Sequence, residues 1–304
     1  FLPLAMIAGL HHLRERFDAV LLDLDGTLLD GSGRLTERTR RAVRSLRDAG
    51  LLVVLCTGRS MVGARIVWAE IGLDTPCVAF NGAWIGAPDG PPWRYATLPD
   101  EHVPALEELE ARAAFSFRHQ ADRKVALLRP HPLLQRVVGW YTGGEAVPEA
   151  TELPSQDLLR ISMFFEDRGA QDAVWAEAPE AVRGDVHREV FPMSLFPEFR
   201  EGGLWLGEFQ CRSQGKAEAY GFLAARYGID ASRTVAVGVH VNDLTMLAGA
   251  GLAVCVDNAV PEARALADLV IGPHDEEGVA SWVERGAPIE RECGGDDERE
   301  RCVS

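Results

Sequence analysis

Two acidic side chains one residue apart carry the strongest chemical signal in the sequence. In "LLDLDGTLLD", Asp23 and Asp25 follow an apolar run, and Gly26 and Thr27 come directly after them. Side chains two positions apart near the end of a β-strand point the same way, so both carboxylates are expected to face one pocket. Two carboxylates in one pocket repel each other unless they share a cation. The stretch therefore predicts a cation-assisted reaction site, with a solvated turn and capping acids as the less favoured alternative.

Two further stretches contain groups that bind anions. Thr57, Gly58 and Arg59 end a second apolar run and precede a helical pattern. A hydroxyl beside a helix N-terminus forms an anion cradle, although Thr-Gly is also an ordinary capping turn. Lys216 in "SQGKAEAYGF" is expected in the first turn of a helix, where a cation opposes the helix dipole at a cost of about 0.3–1 kcal/mol. That cost favours an ammonium group directed at a bound anion over a solvent-exposed lysine.

A third polar strand end lacks an expected acid. The stretch "TVAVGVHVNDLTML" (234–247) begins as a buried strand, breaks at Gly238 and continues through Asn242 and Asp243 into a helical pattern. Loops at the carboxyl ends of strands are where α/β proteins place their chemistry. Asn242 and Asp243 are therefore candidate site residues, with a turn residue and a helix N-cap as their structural alternatives. Val239 stands where an acidic side chain is expected.

The apolar segments before these motifs predict the strands that carry them. A continuously apolar run is typical of a strand covered on both faces of a parallel sheet. Helical segments separate the runs, with Thr36 as a predicted N-cap and glycine as the residue that ends each helix. This alternation predicts a doubly wound, Rossmann-like α/β core with a parallel sheet. The runs are 19–24, 51–56, 234–239 and 252–256, and the predicted helix stops are Gly50, Gly72 and Gly228.

Short strands and helices mix between about residues 84 and 206. A hairpin is expected around the Pro/Gly turn of "AWIGAPDGPPWRYATL", a helix in "PDEHVPALEELEARAA", and strands in "KVALLRP", "LLRISMFFE", "VHREVFPMSLF" and "LWLGEFQC". The mixture predicts an α+β cap domain inserted into the core. The expected organisation is an N-terminal extension (1–17), a core (18–83 and 207–284), a cap (84–206) and a polar, disordered tail (285–304).

Composition limits the partners and the compartment. A chain of 304 residues suggests two domains. Its net charge of −15 argues against a nucleic-acid partner but permits a small anionic ligand in a locally positive pocket. Six cysteines without CxxC pairing are expected to be reduced thiols of a cytoplasmic protein. The apolar start lacks signal-peptide features and is too short to cross a bilayer, so no membrane partner is expected.

Together the motifs resemble those of the haloacid dehalogenase superfamily, and within it the Cof-type phosphatases that carry an inserted C2-type cap. "DLDGTLL" is similar to the first motif of that family, "TGR" to the second, Lys216 before a helix to the third, and "VAVGVHVNDLTML" to the fourth. "FNGAWI" and "DNAVPEARALAD" match as well, and the similarity covers most of residues 18–284. The resemblance implies this fold and a phosphomonoesterase activity on sugar phosphates or phosphorylated cofactors.

The resemblance also implies a role for each matched residue. Asp23 would attack phosphorus to form an aspartyl-phosphate, and Asp25 would protonate the leaving oxygen and then activate water. Thr57 and Lys216 would hold the phosphoryl oxygens and stabilise their charge. Mg²⁺ would be bound by oxygen atoms only. The implied metal ligands are the Asp23 carboxylate, the Asp25 main-chain carbonyl and Asp243, and the implied phosphate-binding residues are Asp23, Gly26, Thr57, Gly58, Lys216 and Asn242.

Val239 is the departure from the family pattern, which has an acidic magnesium ligand at this position. Valine offers no side-chain oxygen, so the site loses a negative ligand. The loss of even an outer hydrogen-bonding partner typically lowers metal affinity about 10–100-fold. The expected protein is therefore a Mg²⁺-dependent phosphatase of small organic phosphates with a weakened metal site. A non-catalytic phosphate-binding protein and a phosphomutase are the alternatives.

Overall fold

A computed structural model of the chain describes residues 3–120, 125–128, 137, 154–195, 199, 203–212 and 215–289. Its helices are α1 (Leu4–Arg16), α2 (Glu37–Asp48), α3 (Met61–Ile71), α4 (Val103–Glu110), α5 (Arg168–Ala176), α6 (Glu180–Asp185), α7 (Glu218–Tyr227), α8 (Leu244–Gly249), α9 (Pro261–Leu266) and α10 (Gly278–Glu284). Its strands are β1 (Ala19–Leu22), β2 (Leu52–Cys56), β3 (Cys77–Ala79), β4 (Trp84–Gly86), β5 (Pro92–Tyr95), β6 (Phe115–Gln120), β7 (Val125–Leu128), β8 (Leu158–Phe165), β9 (Val186–Pro192), β10 (Trp205–Cys211), β11 (Thr234–Gly238), β12 (Leu252–Val256) and β13 (Leu269–Ile271).

The chain divides into two compact units, and the first of them carries a parallel sheet. This unit comprises Phe1–Asp30, Leu35–Val53 and Leu223–Ser304. Its strands lie in the order β13-β12-β11-β1 with parallel pairing throughout. At the start of β2, the Leu52 N–H donates to the Asp18 carbonyl at 2.9 Å. Every residue of β1, β11 and β12 is buried, which explains the uninterrupted apolar runs.

Helix ends follow the local chemistry of the sequence. At the start of α2, the Thr36 hydroxyl accepts a hydrogen bond from the Thr39 N–H at 3.1 Å, which satisfies a donor that has no partner within the helix. Gly50, Gly72 and Gly228 follow α2, α3 and α7 with φ values of +90°, +77° and +68°. Glycine reaches these left-handed values without a Cβ clash. The predicted cap and the three predicted helix stops are confirmed.

The second unit comprises Gly31–Arg34 and Val54–Phe222 and contains most of the antiparallel structure. β2 pairs in parallel with β3, and β3, β4 and β5 then pair antiparallel in chain order. β4 and β5 are the hairpin predicted around the Pro/Gly turn. A separate antiparallel sheet has the strand order β7-β6-β8-β10-β9. Helices α4, α5 and α6 lie between these strands in the sequence, so this part of the chain has the mixed α+β character that its pattern predicted.

The antiparallel sheet has one face that packs against these helices. Residues of β8 and β10 share an apolar core with residues of α4, α5 and α6. A buried ion pair between Arg118 and Glu110 lies on the same face, since Arg118 is directly opposite Ile161 in the strand register. The core residues include Leu106, Leu109, Val174, Val182, Ile161, Met163 and Phe209.

The opposite face of this sheet grades from apolar to polar in three cross-strand rows. Directly opposed residues of antiparallel strands lie on the same face, so the register defines each row. The polar row contains buried side chains that must be hydrogen-bonded to be stable. The apolar row is Phe115, Phe164, Leu206 and Phe191; the middle row is Phe117, Ser162, Glu208 and Glu189; and the polar row is His119, Arg160, Gln210 and His187.

The sequence patterns predicted the longer core strands and did not predict the shorter ones. β1, β2, β11 and β12 fall on the predicted runs, although β1 ends at Leu22 and β11 at Gly238. β3 and β13 have three residues each, which is too few for a periodic signal. β6 also lacks a prediction, because its sequence "FSFRHQ" ends in three polar residues that are covered only in the folded chain.

The cysteines in the described part of the chain have free thiols, as their irregular spacing predicted. They are Cys56, Cys77, Cys211 and Cys255. Burial raises the pKa of the Cys77 thiol and raises that of Cys255 to about 11, so neither ionises readily near neutral pH. Cys293 and Cys302 lie outside the described residues. Within those residues, none of the helices combines the length and the apolar composition needed to span a bilayer.

The polar row makes folding stability depend on pH. Burial, reinforced by the nearby charge of Arg160, lowers the pKa of His119 from 6.5 to about 3. Because the unfolded chain binds a proton at this residue below pH 6.5 and the folded chain does not, acid favours unfolding. We expect His119 to lower the free energy of unfolding by up to about 1.4 kcal/mol per pH unit as pH falls from 6.5 towards 3.

Urea unfolding at a series of pH values checks this expectation in the parent and in His119→Gln. The variant should lose that part of the slope between pH 6.5 and 3. His11→Gln, which changes an exposed histidine of α1, is the control and should keep the parent slope. Equal slopes in the parent and in His119→Gln would contradict the assignment.

Candidate active site

The carboxylate of Asp23 is buried where β1 leaves the parallel sheet. The Asp23 N–H donates to the Val237 carbonyl at 3.0 Å, which extends the pairing of β1 with β11 by one residue. The Asp23 residue is 4% exposed, and the Thr27 hydroxyl donates to its Oδ2 at 2.9 Å. A charge-assisted hydrogen bond of this kind holds the carboxylate in one orientation. The first unit thus presents an oriented and largely desolvated carboxylate at a strand end.

Asp25 lies in a tight turn and not in the strand. β1 ends at Leu22, and the Leu24 carbonyl accepts a hydrogen bond from the Thr27 N–H at 3.2 Å. The alternation of side chains along a strand therefore does not position Asp25, which corrects the argument made from the sequence. Gly26 has a left-handed φ of +77°, which lets the chain turn directly after the second acid. Asp25 is half-buried at this turn, so it retains access to solvent.

Two residues from later in the first unit contact the turn at Gly26. A Cβ on Gly26 would lie 3.4 Å from Cγ1 of Val239, so the valine methyl groups pack beside the turn. Nδ2 of Asn258 donates to the Gly26 carbonyl at 3.0 Å, and Oδ1 of Asn258 accepts from the His274 N–H at 3.0 Å. The amide of Asn258 therefore ties the turn to the loop after β13. Position 239 faces the acidic turn with an apolar, 5% exposed residue.

Asp243 folds back onto the end of β11. Its Oδ2 accepts hydrogen bonds from the N–H groups of Val239 and His240, both at 2.9 Å, and the side chain is fully buried. A Cβ on Gly238 would lie 2.7 Å from the Asp243 Cβ, so glycine makes room for this approach. The carboxylate closes a 3-10 turn over Val241–Asp243. It does not cap α8, so the structural alternative of an Asp243 N-cap is not observed. The main chain of the fourth motif is therefore fixed by its last acid.

In the second unit, Thr57, Gly58 and Arg59 form the loop that follows β2. Thr57 is fully buried, and its Oγ1 accepts a hydrogen bond from the Arg59 N–H at 3.0 Å. A hydroxyl that accepts in this way keeps its own proton to donate. The next residue, Ser60, caps α3, because its Oγ accepts from the Gly63 N–H at 3.3 Å. The loop therefore combines a hydroxyl donor with the start of a helix.

Lys216 is buried, and it lies two residues before α7 rather than in its first turn. α7 begins at Glu218, whose N–H donates to the Gly215 carbonyl at 3.0 Å in the preceding turn. This position corrects the expectation of a first-turn lysine. The side chain is fully buried, which excludes the solvent-exposed alternative. An ammonium group is rarely buried in a protein unless it is paired.

A close contact between two glycines sets the position of the main chain before Lys216. A Cβ on Gly82 would lie 2.1 Å from the carbonyl oxygen of Gly215, so any larger residue would collide with that carbonyl. Gly82 has φ +96°, and Phe80 and Asn81 before it have φ +50° and +52°. Three consecutive left-handed residues are unusual in a protein chain. The "FNG" segment is thus a strained support against which the Lys216 turn rests.

The predicted site residues form two groups, one in each compact unit. Asn242 is half-buried in the 3-10 turn that Asp243 closes. The sequence did not predict the orienting roles of Thr27 and Asn258, although both residues lie in the stretches that match the family. The first unit holds Asp23, Asp25, Gly26, Asn242 and Asp243, and the second holds Thr57, Gly58 and Lys216.

The acids of the first unit offer the type of ligand that Mg²⁺ prefers, but only a few such ligands. Carboxylate and carbonyl oxygens from Asp23, Asp25 and Asp243 suit a hard cation. Across the residues that the structure describes, no group of three or more His, Cys, Asp or Glu side chains is placed to hold a metal ion. Val239 adds methyl groups beside the turn and no side-chain oxygen. These acids would therefore offer a hard cation such as Mg²⁺ the right type of ligand atom but few protein ligands.

Comparison with known proteins decides the family. Residues 20–283 match the model of the haloacid dehalogenase-like hydrolases. The chain belongs to this family. A relative from Bacillus subtilis (strain 168), the 5-amino-6-(5-phospho-D-ribitylamino)uracil phosphatase YitU, is 26% identical over 269 residues, which cover 87% of this chain and 95% of the relative. The predicted resemblance to Cof-type phosphatases is thereby confirmed.

Solved structures of family members share the fold. A haloacid dehalogenase-like hydrolase from Bacteroides thetaiotaomicron has a TM-score of 0.74 at 23% identity, covering 88% of this chain and 99% of its own. The sugar phosphatase BT4131 of subclass IIB has a TM-score of 0.70 at 18% identity, covering 87% of this chain and 96% of its own. The predicted α/β fold class is therefore confirmed.

The hydrogen bond from Thr27 to Asp23 should matter for hydrolysis. A hydrogen bond to a charged group contributes about 1.5–3 kcal/mol, so Thr27→Val should lower kcat about 10- to 100-fold by releasing the carboxylate. Phosphate release from a small phosphate ester measures the effect. Thr27→Ser keeps the hydroxyl and should stay close to the parent. If the valine variant turned over as fast as the serine variant, the hydrogen bond would have no role in orienting Asp23.

The contact between Gly82 and Gly215 should be intolerant of a methyl group. Gly82→Ala forces a non-glycine residue to φ +96° and against a carbonyl, so we expect a loss of at least about 2 kcal/mol in the free energy of unfolding. Gly221→Ala in α7 is the matched control, since open space surrounds a Cβ there among the described residues. It should stabilise the helix by about 0.5–1 kcal/mol. Urea midpoints that moved equally for both variants would disprove the steric argument.

Proposed function

We propose that this chain is a Mg²⁺-dependent phosphomonoester hydrolase that acts on small phosphorylated metabolites through an aspartyl-phosphate intermediate. The observation that supports the proposal best is the buried Asp23 carboxylate, held by Thr27 at the end of β1, in a haloacid dehalogenase-like hydrolase. A carboxylate is ionised at neutral pH and needs no base before it attacks. Covalent attack divides a slow hydrolysis into two faster steps.

The two aspartates of the first unit divide the chemistry between them. In the first step, an oxygen of Asp23 bonds to phosphorus, the bond from phosphorus to the ester oxygen breaks, and Asp25 gives that oxygen a proton. In the second step, Asp25 takes a proton from water as the water oxygen attacks the aspartyl-phosphate. The Asp23–phosphate bond then breaks and inorganic phosphate leaves. The half-buried Asp25 suits this exchange, because it must meet both the leaving group and water.

Thr57 and Lys216 of the second unit are the proposed phosphoryl-binding groups. The Thr57 hydroxyl accepts from the Arg59 N–H and so has its own proton to donate. The ammonium group of Lys216 would add a full positive charge where the transition state spreads negative charge over the phosphoryl oxygens. Both residues are fully buried, so solvent would screen their interaction with a phosphate only weakly. Gly58 and the amide of Asn242 are the remaining members of the proposed phosphate-binding set.

Mg²⁺ is proposed because phosphatases of this superfamily generally use it. When bound, it would supply positive charge that offsets the repulsion between the acids and the phosphate. Asp23, the Asp25 carbonyl and Asp243 would hold it, although Oδ2 of Asp243 already accepts two main-chain N–H groups. The side chain of Val239 contributes no oxygen. We therefore infer weak Mg²⁺ binding.

The relatives indicate the class of substrate. YitU is named for a phosphoribitylaminouracil, and BT4131 is described as a sugar phosphatase. By analogy, we infer a sugar phosphate or a phosphorylated cofactor as the substrate of this chain. The net charge of −15 opposes the approach of a nucleic acid polyanion, which leaves small phosphates as the favoured class.

A second candidate function follows from Val239. An apolar residue that packs beside the acidic turn is the arrangement expected if the scaffold had retained phosphate binding and lost efficient metal-assisted turnover. Such a protein would bind phosphate esters with no dependence on the nucleophilicity of Asp23. Its ligands would still raise its unfolding temperature, because any ligand specific for the folded state does so.

Mg²⁺ titration with and without a restored acid separates the two candidates. Phosphate release from a panel of small phosphate esters is measured for the parent and for Val239→Asp. We expect the parent to turn over and to need at least about 10-fold more Mg²⁺ for half-saturation than the variant. Val241→Asp adds the same charge at a neighbouring exposed valine and should leave the Mg²⁺ requirement unchanged.

Asp23→Asn completes the experiment. It should abolish turnover in both the parent and the Val239→Asp background, because an amide is not a nucleophile for phosphorus. If neither the parent nor Val239→Asp releases phosphate while ligands still raise the unfolding temperature, the binding function is correct. If both chains require the same Mg²⁺ concentration, position 239 does not adjoin the metal.

A further inference from the structure

Arg160 in the antiparallel sheet donates a hydrogen bond to the loop that carries Thr57. Its Nη1 lies 2.8 Å from the carbonyl oxygen of Gly58, although the two residues are 102 positions apart in the sequence. Arg160 is fully buried in the polar row, and both residues belong to the second unit. The guanidinium group of arginine is planar and rigid, so a buried arginine that donates to a main-chain carbonyl can fix the direction of that carbonyl.

The sheet holds the guanidinium group in place from the other side. Nη2 of Arg160 donates to Oε1 of Gln210 at 2.8 Å, and Nη1 lies 2.7 Å from Oε1 of Glu208. The guanidinium also lies over the ring of Phe80, with its central carbon 5.1 Å from the ring centroid. The Glu208 carboxylate offsets the positive charge. Arg160 is thereby fixed in orientation, and its direct partners are protein groups.

All three carbonyls of the Thr57–Arg59 loop accept hydrogen bonds within the second unit. The Asn81 N–H donates to the Thr57 carbonyl at 3.0 Å, and the Phe80 N–H donates to the Arg59 carbonyl at 3.0 Å. Arg160 supplies the remaining donor, to the Gly58 carbonyl. It is the one side chain among these three donors. The "FNG" segment and Arg160 together determine how the peptide planes of the loop are turned.

The Gly58 carbonyl and the Arg59 N–H belong to a single peptide unit. A trans peptide is planar, so its C=O and N–H point in opposite directions. When the carbonyl is held by Arg160, the N–H is directed to the other side, where it donates to Oγ1 of Thr57 at 3.0 Å. A continuous path thus runs from the guanidinium through one peptide plane to the hydroxyl. A charged donor at one end also polarises the hydrogen bond at the other.

We propose that Arg160 is a positioning residue for the Thr57 hydroxyl, acting through the Gly58–Arg59 peptide. This inference rests on the proposed function of Thr57 as a phosphoryl-binding group. Arg160 itself does not bind the phosphate. It sets the peptide plane that turns the Thr57 hydroxyl proton towards a phosphoryl oxygen. The inserted sheet therefore contributes to phosphate binding through a side chain far from the motif in sequence.

A double-mutant cycle with Thr57 tests the proposal. Arg160→Met alone would leave Glu208 buried without its partner, so it is combined with Glu208→Gln. We expect this pair to lower kcat/KM for a small phosphate ester, and the affinity for inorganic phosphate, about 10- to 100-fold, the loss typical of a charge-assisted hydrogen bond. In a Thr57→Val background the same pair should change both quantities less than about twofold, because the hydroxyl it positions is gone. Glu208→Gln alone also leaves a buried charge without its partner and should lower the unfolding temperature. Because it keeps the guanidinium that donates to the Gly58 carbonyl, the affinity for inorganic phosphate should remain within about threefold of the parent.

A matched control separates positioning from general damage to the sheet. Arg118→Met with Glu110→Gln removes another buried ion pair, which joins β6 of the same sheet to α4 on the opposite face. It should lower the unfolding temperature comparably while leaving phosphate affinity within about twofold of the parent. The proposal is overturned if the Arg160 pair costs the same factor with and without the Thr57 hydroxyl, or if the Arg118 pair lowers phosphate affinity as much.

The two readouts also distinguish this inference from the proposed function. If the parent fails to hydrolyse any ester but binds inorganic phosphate with the predicted dependence on Arg160 and Thr57, hydrolysis fails and the positioning role stands. If the parent hydrolyses esters and the cycle is additive, hydrolysis stands and the positioning role fails. Unfolding curves of every variant confirm that each measurement is made on folded protein.

Discussion

Peptide groups beyond the end of a strand lose the hydrogen-bond partners that the sheet supplied and must find others. The positions of the proposed chemical groups depend on which partners these peptide groups find. A peptide group without a partner is costly inside a protein. In this structure the partners are side chains from other parts of the chain, and of these only Asp243 also has a proposed role in the chemistry. Asn258 binds the Gly26 carbonyl, Arg160 binds the Gly58 carbonyl, and Oδ2 of Asp243 accepts the N–H groups that follow β11. The strand ends are therefore supported by a set of side chains that orient peptide planes rather than bind substrate.

Asp243 shows how such support and catalysis compete for the same atoms. Its Oδ2 accepts hydrogen bonds from two main-chain donors, and the close approach of its side chain requires glycine at position 238. These two hydrogen bonds hold the loop through the main chain of Val239 and His240 and do not use the side chain at position 239. The conformation of the loop and the chemical character of position 239 are therefore set by different groups.

The parts of the fold that follow from local chemistry were predictable from the sequence. The continuous apolar runs marked β1, β2, β11 and β12, and the cap at Thr36 was visible as a hydroxyl before a helical pattern. Asp23 was placed correctly at a strand end. Asp25 was placed by the wrong argument, because strand alternation ends at Leu22 and a turn held by the Leu24 carbonyl takes over. A one-dimensional pattern does not show where a strand gives way to a turn.

The remaining parts of the site depend on contacts between distant segments. Lys216 carried a signal for chemistry, but its place before α7 depends on the approach of Gly82 to Gly215. Arg160 carried no signal, since it stands in an alternating strand of a segment that was assigned to a cap. Its relation to Gly58 arises from the register that brings the polar row together and from the fold of the second unit.

The hydrogen bond between Arg160 and Gly58 also limits how this enzyme could be recombined. Arg160 lies in β8 of the antiparallel sheet, and it donates to a carbonyl of the loop after β2. A chimera whose antiparallel sheet came from another protein and lacked an arginine at the position of Arg160 would leave the Gly58 carbonyl without this donor, and water would have to replace it. Exchange of the sheet would then alter the loop after β2 as well as the substrate selectivity. A functional graft would have to supply its own donor to the Gly58 carbonyl.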